Sequence, residues 1–187
     1  MILLTRTDIT DIYNEQIIQT EKLNEALRLS LTDPLTGLLN YQGIQDYANK
    51  ALVENTSEIY ALLFCDLDDF KGVNDSFGHS KGDMVLTQVA EALKACIRAE
   101  DYASRIGGDE FVIFLRGLKN TEEAEACARR VCDSVSRIRF GLEGNNLSCS
   151  VGVAVSPQDG TSYNALVKAA DRKAYHSKKN GKNRYTL

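Results

Sequence analysis

The stretch ASRIGGDEFVIFLRG, Ala103 to Gly117, decides the fold. Both arms are rich in strand formers, and Gly107-Gly108 between them supplies the positive φ angles of a tight hairpin. Working outward, the apolar run IYALLFCDLD at 59–68 predicts another strand. Between them KGDMVLTQVAEALKACIRA places Val85, Val89, Leu93 and Ile97 at helical spacing, which predicts a helix over 81–98.

Upstream, Asp33-Pro34 offers a helix start, with Asp33 as N-cap and Pro34 in the first helical position, leading past Gly37 to a helix near 41–53. Downstream, a helix over 121–137 has Thr121 as cap and Ala124, Cys127, Val131 and Val135 as its apolar stripe. A strand over 146–156 and a helix over 162–180, stopped by Gly181, complete the chain. Helix, strand, helix, hairpin, helix, strand, helix reads as an α/β palm: a central mixed, antiparallel-rich sheet surrounded by helices, as in ferredoxin-like folds and nucleotidyl-cyclase palms.

The 187 residues suffice for one domain with a short appendage. Residues 1–30 form that appendage, a strand in ILLTRTDIT followed by a linker helix, and 31–187 form the domain. Ile17, Leu23, Leu27 and Leu31 make a broken heptad, open between a short coiled coil and a packed surface helix. The strand before DIT resembles the exit of a PAS sensor domain. A net charge of -4 argues against bulk nucleic acid as the partner, and the apolar runs are too short for a bilayer. A cytoplasmic location is therefore expected. The five cysteines lack CxxC spacing and fall in apolar segments, so reduced core thiols are expected.

The chemistry sits where strands end. Asp66, Asp68 and Asp69 close the apolar strand, and Asp109 and Glu110 follow the Gly-Gly turn. Singly, such acids are ordinarily solvated loop residues. Together they suit magnesium on a triphosphate, which wants one or two carboxylates and fills its other positions with phosphate oxygens and water. An EF-hand is excluded, because Phe70 stands where a ligand is required and Lys71 where glycine is. No GxxxxGK[ST] loop occurs.

IGGDEF at 106–111 resembles the signature of the GGDEF diguanylate cyclases, and other segments follow in that family's order: DPLTGLLN at 33–40, DLDDFKGVNDSFGHSKGD at 66–83, SVGVA at 150–154, and AD at 170–171 leading to Tyr175, Lys178 and GKN. The resemblance covers about 31–184. It implies an enzyme that condenses two GTP into cyclic di-GMP with release of pyrophosphate, as the signalling module of a larger protein. Asp66, Asp109 and the Leu67 carbonyl would hold Mg2+, or Mn2+. Asp109 would also help deprotonate the attacking 3′-hydroxyl, with Glu110 beside it; successive strand residues face opposite sides, which favours Asp109 as the primary ligand.

The resemblance further implies that Asn74 and Asp83 recognise guanine and that Lys71, with the N–H groups of Asp69 and Phe70, cradles the β- and γ-phosphates. Lys178 and Lys182 would add positive charge; without the other motifs, compensation of the helix dipole, at about 0.3–1 kcal/mol, would be the preferred reading of such lysines. His79 is either a substrate contact or structural. Arg98 and Asp101 form an RxxD pattern whose offset from the Gly-Gly turn resembles the product-inhibition site of that family, which is the favoured reading over an ordinary surface ion pair or helix-end Arg.

Two phosphodiesters joining two nucleotides imply a homodimer with one GTP per copy. Tyr41 departs from the family's usual Arg, Lys173 from Ala and Ala174 from Leu or Met, which puts packing around the last helix in question. The rival readings are a catalytically silent module that binds GTP or cyclic di-GMP, a mononucleotide cyclase and, more remotely, a structural scaffold.

Overall fold

The computed structural model describes residues 13–20, 22, 26, 30–55, 57–141 and 145–187. Residues 13–20 are helical, with Ile17 exposed. The expected strand and turn at 2–10, the resemblance to a PAS exit, and Leu23 and Leu27 of the heptad lie outside the described residues.

Past them the order is α1 (Tyr41–Glu54), β1 (Ile59–Leu67), α2 (Phe70–Phe77), α3 (His79–Ala95), β2 (Tyr102–Gly107), β3 (Glu110–Leu118), α4 (Thr121–Val135), β4 (Arg139–Phe140), β5 (Asn145–Asn146), β6 (Cys149–Ser156), α5 (Tyr163–Lys179) and β7 (Arg184–Thr186). The main sheet runs β2-β3-β1-β6-β7, antiparallel throughout except for the parallel β6–β7 pair. The mixed sheet flanked by helices is the expected architecture.

Strand alternation divides the core into two layers. Ala61, Leu63, Cys65 and Leu67 of β1 pack with Val85, Val89 and Leu93 of α3 and with Ala124, Ala128 and Val131 of α4. Tyr60, Leu62 and Phe64 point the other way, onto Ile44 and Ala48 of α1 and Leu166 and Ala170 of α5. α5 approaches β6 so closely that a Cβ on Gly152 would collide with the Ala170 carbonyl and the Ala174 amide. All five cysteines are free and buried, and burial pushes the Cys127 thiol up to about 11.

Several boundaries differ from the sequence expectation. Asp33 starts no helix: its Oδ1 accepts from the Thr36 amide at 2.9 Å and the Thr36 hydroxyl at 2.6 Å, closing a turn. α1 begins eight residues later, where Asn40 accepts from the Gly43 amide. Asn120, not Thr121, caps α4, because its side chain is the one that reaches the Glu123 amide. The strand expected over 146–156 is broken, with Leu147 and Ser148 between β5 and β6. The segment before 81 holds an unexpected helix, α2, and α3 already starts at His79 and ends at Ala95.

Candidate active site

Residue parity on β1 places Asp66 on the α5 face, beyond Phe64, and the β1–β3 register sets Glu110 directly opposite it. Ser150 of β6 is its neighbour on the other side. The sequence favoured Asp109 over Glu110 as the primary metal ligand; in the strand register it is Glu110 that lies opposite Asp66, while Asp109 belongs to the turn. Asp109 nonetheless stays close, since its carbonyl accepts from the Leu67 amide at 3.2 Å. The Leu67 side chain is buried in the opposite layer.

Burial pushes the Asp66 carboxyl above its ordinary value; Lys178 pulls it down, and Asp109 and Asp68 push it up. The Lys178 ammonium lies 2.6 Å from Asp66 Oδ1. That oxygen has no other hydrogen-bond partner among the described residues, so Lys178 alone meets its charge. Glu110 is also raised, first by burial and then by Asp66, Asp109 and Asp171. A half-buried carboxylate whose charge is met by a single lysine, facing a second carboxylate across the sheet, fits a divalent cation that would take over from that lysine. Among the described residues no three metal-binding side chains converge on one point, which suits an ion that takes most of its shell from phosphate and water.

The neighbouring acids have other tasks. Asp68 is buried and accepts from the Ser148 hydroxyl at 2.6 Å, the Ser150 hydroxyl at 2.7 Å and the Asn183 amide at 3.1 Å. Asp69, at φ 55, precedes α2 and holds Lys182 through both oxygens at 2.7 and 2.6 Å. Of the lysines assigned to phosphates, Lys178 is ion-paired to Asp66 and Lys182 to Asp69 in this state.

A cleft of about 300 Å³ joins most of the remaining candidates: Phe70, Lys71, Asn74, His79, Asp83 and Asp109, with Leu86, Arg105 and Gly108. The short helix α2 brings the acids and the base-recognition residues together. The first amides of such a helix have no acceptor within it and can meet an anion. Asn74 lies so close over Gly82 that any Cβ there would collide with its Oδ1. The glycine leaves room for the amide beside Asp83.

Arg105, which sequence reasoning missed, binds the signature turn from behind. Its Nε donates to the Gly108 carbonyl at 2.9 Å, and its terminal nitrogen reaches the two Asp33 oxygens at 3.4 and 3.3 Å. Burial tends to raise Asp33, but its bonds from Thr36 and the Arg105 charge outweigh this and hold it below its ordinary value. The only signal in the sequence was an Arg two places before the Gly-Gly dipeptide.

Arg98 and Asp101 behave differently from each other. Asp101 is buried; its oxygens accept from the Arg98 amide at 2.9 Å and the Arg116 amide at 3.1 Å. The Arg98 guanidinium is half exposed and meets only Glu123, at 3.3 Å.

The sequence model of the diguanylate cyclase GGDEF domain matches residues 30–184. The chain belongs to the GGDEF family. The GGDEF domain here is 36% identical over 164 residues to the bifunctional diguanylate cyclase/cyclic di-GMP phosphodiesterase MucR of Pseudomonas aeruginosa, covering 86% of this chain and 24% of MucR. It is 36% identical to the response regulator PleD of Caulobacter vibrioides, covering 86% of this chain and 37% of PleD. The chain thus spans about a quarter to a third of these relatives' length. Among solved structures, the coiled coil and GGDEF domain of DgcB from Caulobacter crescentus, in complex with c-di-GMP, superposes with a TM-score of 0.83 at 27% identity, over 96% of this chain and 97% of that one.

The departures of this GGDEF domain from the family pattern are accommodated. Lys173 donates to the Val153 carbonyl at 3.0 Å and to both Asp159 oxygens at 2.9 and 2.8 Å, tying α5 to the turn after β6. Ala174 is buried against Gly152, where the close backbones leave room for a small side chain. Tyr41 meets Tyr163 edge-on at 6.2 Å.

Proposed function

We propose that this GGDEF domain is an active diguanylate cyclase, joining two GTP into cyclic di-GMP as a homodimer in the cytoplasm. The observation that carries the proposal is the Asp66–Glu110 pair across β1 and β3, with Asp109 in the turn between it and the Asn74–Asp83 cleft. Asp83 accepts from the guanine N1 and N2 donors, Asn74 and His79 flank the base, and Lys71 with the Asp69 and Phe70 amides holds the terminal phosphates. Asp66, Asp109 and the Leu67 carbonyl would hold Mg2+ or Mn2+, with Glu110 beside them. When bound, the ion neutralises charge on the α-phosphate and acidifies the attacking hydroxyl. Lys178 and Lys182 exchange their carboxylate partners for phosphate oxygens.

In each half-reaction the 3′-oxygen of one nucleotide bonds to the α-phosphorus of the other. The bond from that phosphorus to the bridging oxygen breaks, and pyrophosphate leaves with its electron pair. Asp109 takes the hydroxyl proton. Two facing domains perform this twice, and the segment before residue 31 sets how they meet, as the linker of a larger signalling protein. No helix among the described residues is long and apolar enough to cross a membrane. Arg98, with Asp101 behind it, binds the product and lowers turnover.

A silent GTP-binding or cyclic di-GMP-binding module is the second reading. It is favoured by a relative known by the opposite activity, the cyclic di-GMP phosphodiesterase PdeR of Escherichia coli, 34% identical over 175 residues. Mass spectrometry of the products from GTP and magnesium separates the two: cyclic di-GMP and pyrophosphate are expected. Nucleotide binding without product would establish the silent module.

A further inference from the structure

The phosphate cradle of the cyclase reading has two halves that are far apart in the sequence. One is the pair of amides of Asp69 and Phe70 at the start of α2; the other is Lys182, in the short segment between α5 and β7. Both halves follow left-handed backbone. Asp69 has φ 55, and Gly181, Lys182 and Asn183 have φ 108, 58 and 46 in succession. Glycine takes such angles freely and asparagine tolerates them, but a lysine there is strained. Strain of this kind persists only where the surroundings over-determine the backbone, and it marks a position whose side chain is needed at that point.

We infer that Asp68 fixes the two halves of the cradle to each other, as a positioning residue that holds Lys182 beside the start of α2. The inference rests on the cyclase reading and deepens it. The Asp68 amide donates to the Ser148 carbonyl at 2.8 Å, which ties the chain just before Asp69 to the segment entering β6. Its carboxylate is aimed by the Ser148 and Ser150 hydroxyls and accepts from the Asn183 amide at 3.1 Å. One residue thus links the left-handed turn before α2 to the left-handed run after α5.

The other bonds of that run do not do this. The Lys182 amide donates to the Ser177 carbonyl at 3.1 Å, and Arg184 Nε donates to the Lys182 carbonyl at 3.1 Å. Both are local, and they fix the run on itself. The Lys182–Asp69 ion pair does cross to α2, but the Asp69 side chain is 78% exposed, and exposed pairs contribute little. That pair is also given up when Lys182 turns to a phosphate. Asp68 is 6% exposed; its bond to Asn183 crosses between the halves and uses no group that the substrate takes.

The test reads the affinity that the terminal phosphates add. The isotope-labelled full chain with magnesium is titrated with α,β-methylene-GTP, whose bridging carbon cannot leave, and with GMP, which lacks the β- and γ-phosphates. The side-chain amide of Asn74 reports both in NMR spectra. Asp68→Ala and Lys182→Ala should each weaken the GTP analogue about tenfold, roughly the loss of one charge-assisted hydrogen bond, and leave GMP unchanged. The double variant should lose no more than either single one, because both remove the same interaction. Asp68→Asn keeps an oxygen for the Asn183 amide and should restore most of the affinity. Asn183→Pro, at an exposed position, removes that amide and cannot adopt φ 46. It should reproduce the Asp68→Ala pattern, and it carries the test if the alanine variant fails to fold. Should these variants weaken both nucleotides alike, or neither, while Lys182→Ala affects only the GTP analogue, the positioning role is overturned and the cyclase reading stands. Equal effects of Lys182→Ala on both nucleotides would remove Lys182 from the phosphates and overturn the inference with it. Silence at Asn74 with either nucleotide would overturn the cyclase reading as well.

Discussion

Asp66 and Asp68 stand two residues apart and have opposite surroundings. Asp68 is clasped by two serine hydroxyls and one backbone amide, so its burial is fully compensated. Asp66 is half-buried, its Oδ1 met only by the Lys178 ammonium at 2.6 Å, and it faces Glu110 across the sheet. A buried carboxylate held by three donors from two other segments is placed to hold the fold together. One kept short of donors among like charges is costly to the apo protein and gains when a cation arrives. The first holds β6 and the segment before β7 to the end of β1; the second is what that frame presents.

The sharpest way to break this contrast is to truncate both acids. Asp66→Ala should lower cyclic di-GMP formation by about a thousandfold with an unchanged circular dichroism spectrum. Asp68→Ala should instead cost about 2–4 kcal/mol of stability, because it strands two hydroxyls and an amide. Denaturant titration checks the second, and a folded Asp66→Ala chain that retains most of its turnover would refute the first.

Neutral replacement sharpens the contrast further. The folded chain holds the Asp66 carboxyl above its ordinary 3.8, with burial the largest cause. A raised acid binds its proton more tightly when folded, so stability is highest below that ordinary value and is lost as pH rises through the folded value. Asp66→Asn removes the penalty and should raise stability by about 0.5–1 kcal/mol at neutral pH without metal, since Lys178 can extend its ammonium into solvent. Melting curves of mutant and wild type should converge in acid. Magnesium with a GTP analogue should stabilise only the wild type.

Asp33 gives the opposite sign. Its carboxyl lies below the ordinary 3.8 because the Thr36 and Arg105 bonds outweigh burial. Its contribution is therefore present above 3.8 and lost as pH falls through the lower folded value. Asp33→Asn should flatten the acid limb of the stability curve, and an unchanged limb would show that the bridge to Arg105 contributes nothing.

The sequence made these regions legible to different depths. The hairpin and β1 could be read because Gly107-Gly108 and the apolar run 59–65 carry local signals. Helix α2 could not, since Gly72, Asn74 and Ser76 are poor helix formers and only Phe70 and Val73 are buried. The pairing of Asp66 with Glu110 depends on register, and the irregularity between Arg105 and Gly107 shifts the β2–β3 pairing in a way no composition reveals. The Asp68 clasp draws partners 80 to 115 positions away. Motif order could suggest which acids matter, but not which were clasped and which were left short of donors.

The same distinction makes a final, smaller prediction about Arg98 and Asp101. Their RxxD spacing suggested two ligands for the product, yet Asp101 is of the clasped kind, fastened to the amides of Arg98 and Arg116. Arg98 is of the available kind: its guanidinium is half exposed and gives up only an ion pair to Glu123. A planar guanidinium can donate two parallel bonds to a guanine edge or a phosphate. If product binds here, Arg98→Ala should weaken cyclic di-GMP about tenfold in calorimetry, roughly the loss of one charge-assisted bond, and leave the melting temperature unchanged. Asp101→Ala should do the reverse in the first instance, lowering the melting temperature by several degrees through about 1–2 kcal/mol of lost stability. Its effect on affinity should follow only from loosening the turn that presents Arg98. A variant pair in which Asp101→Ala loses product affinity with full stability would show that this carboxylate meets the ligand itself.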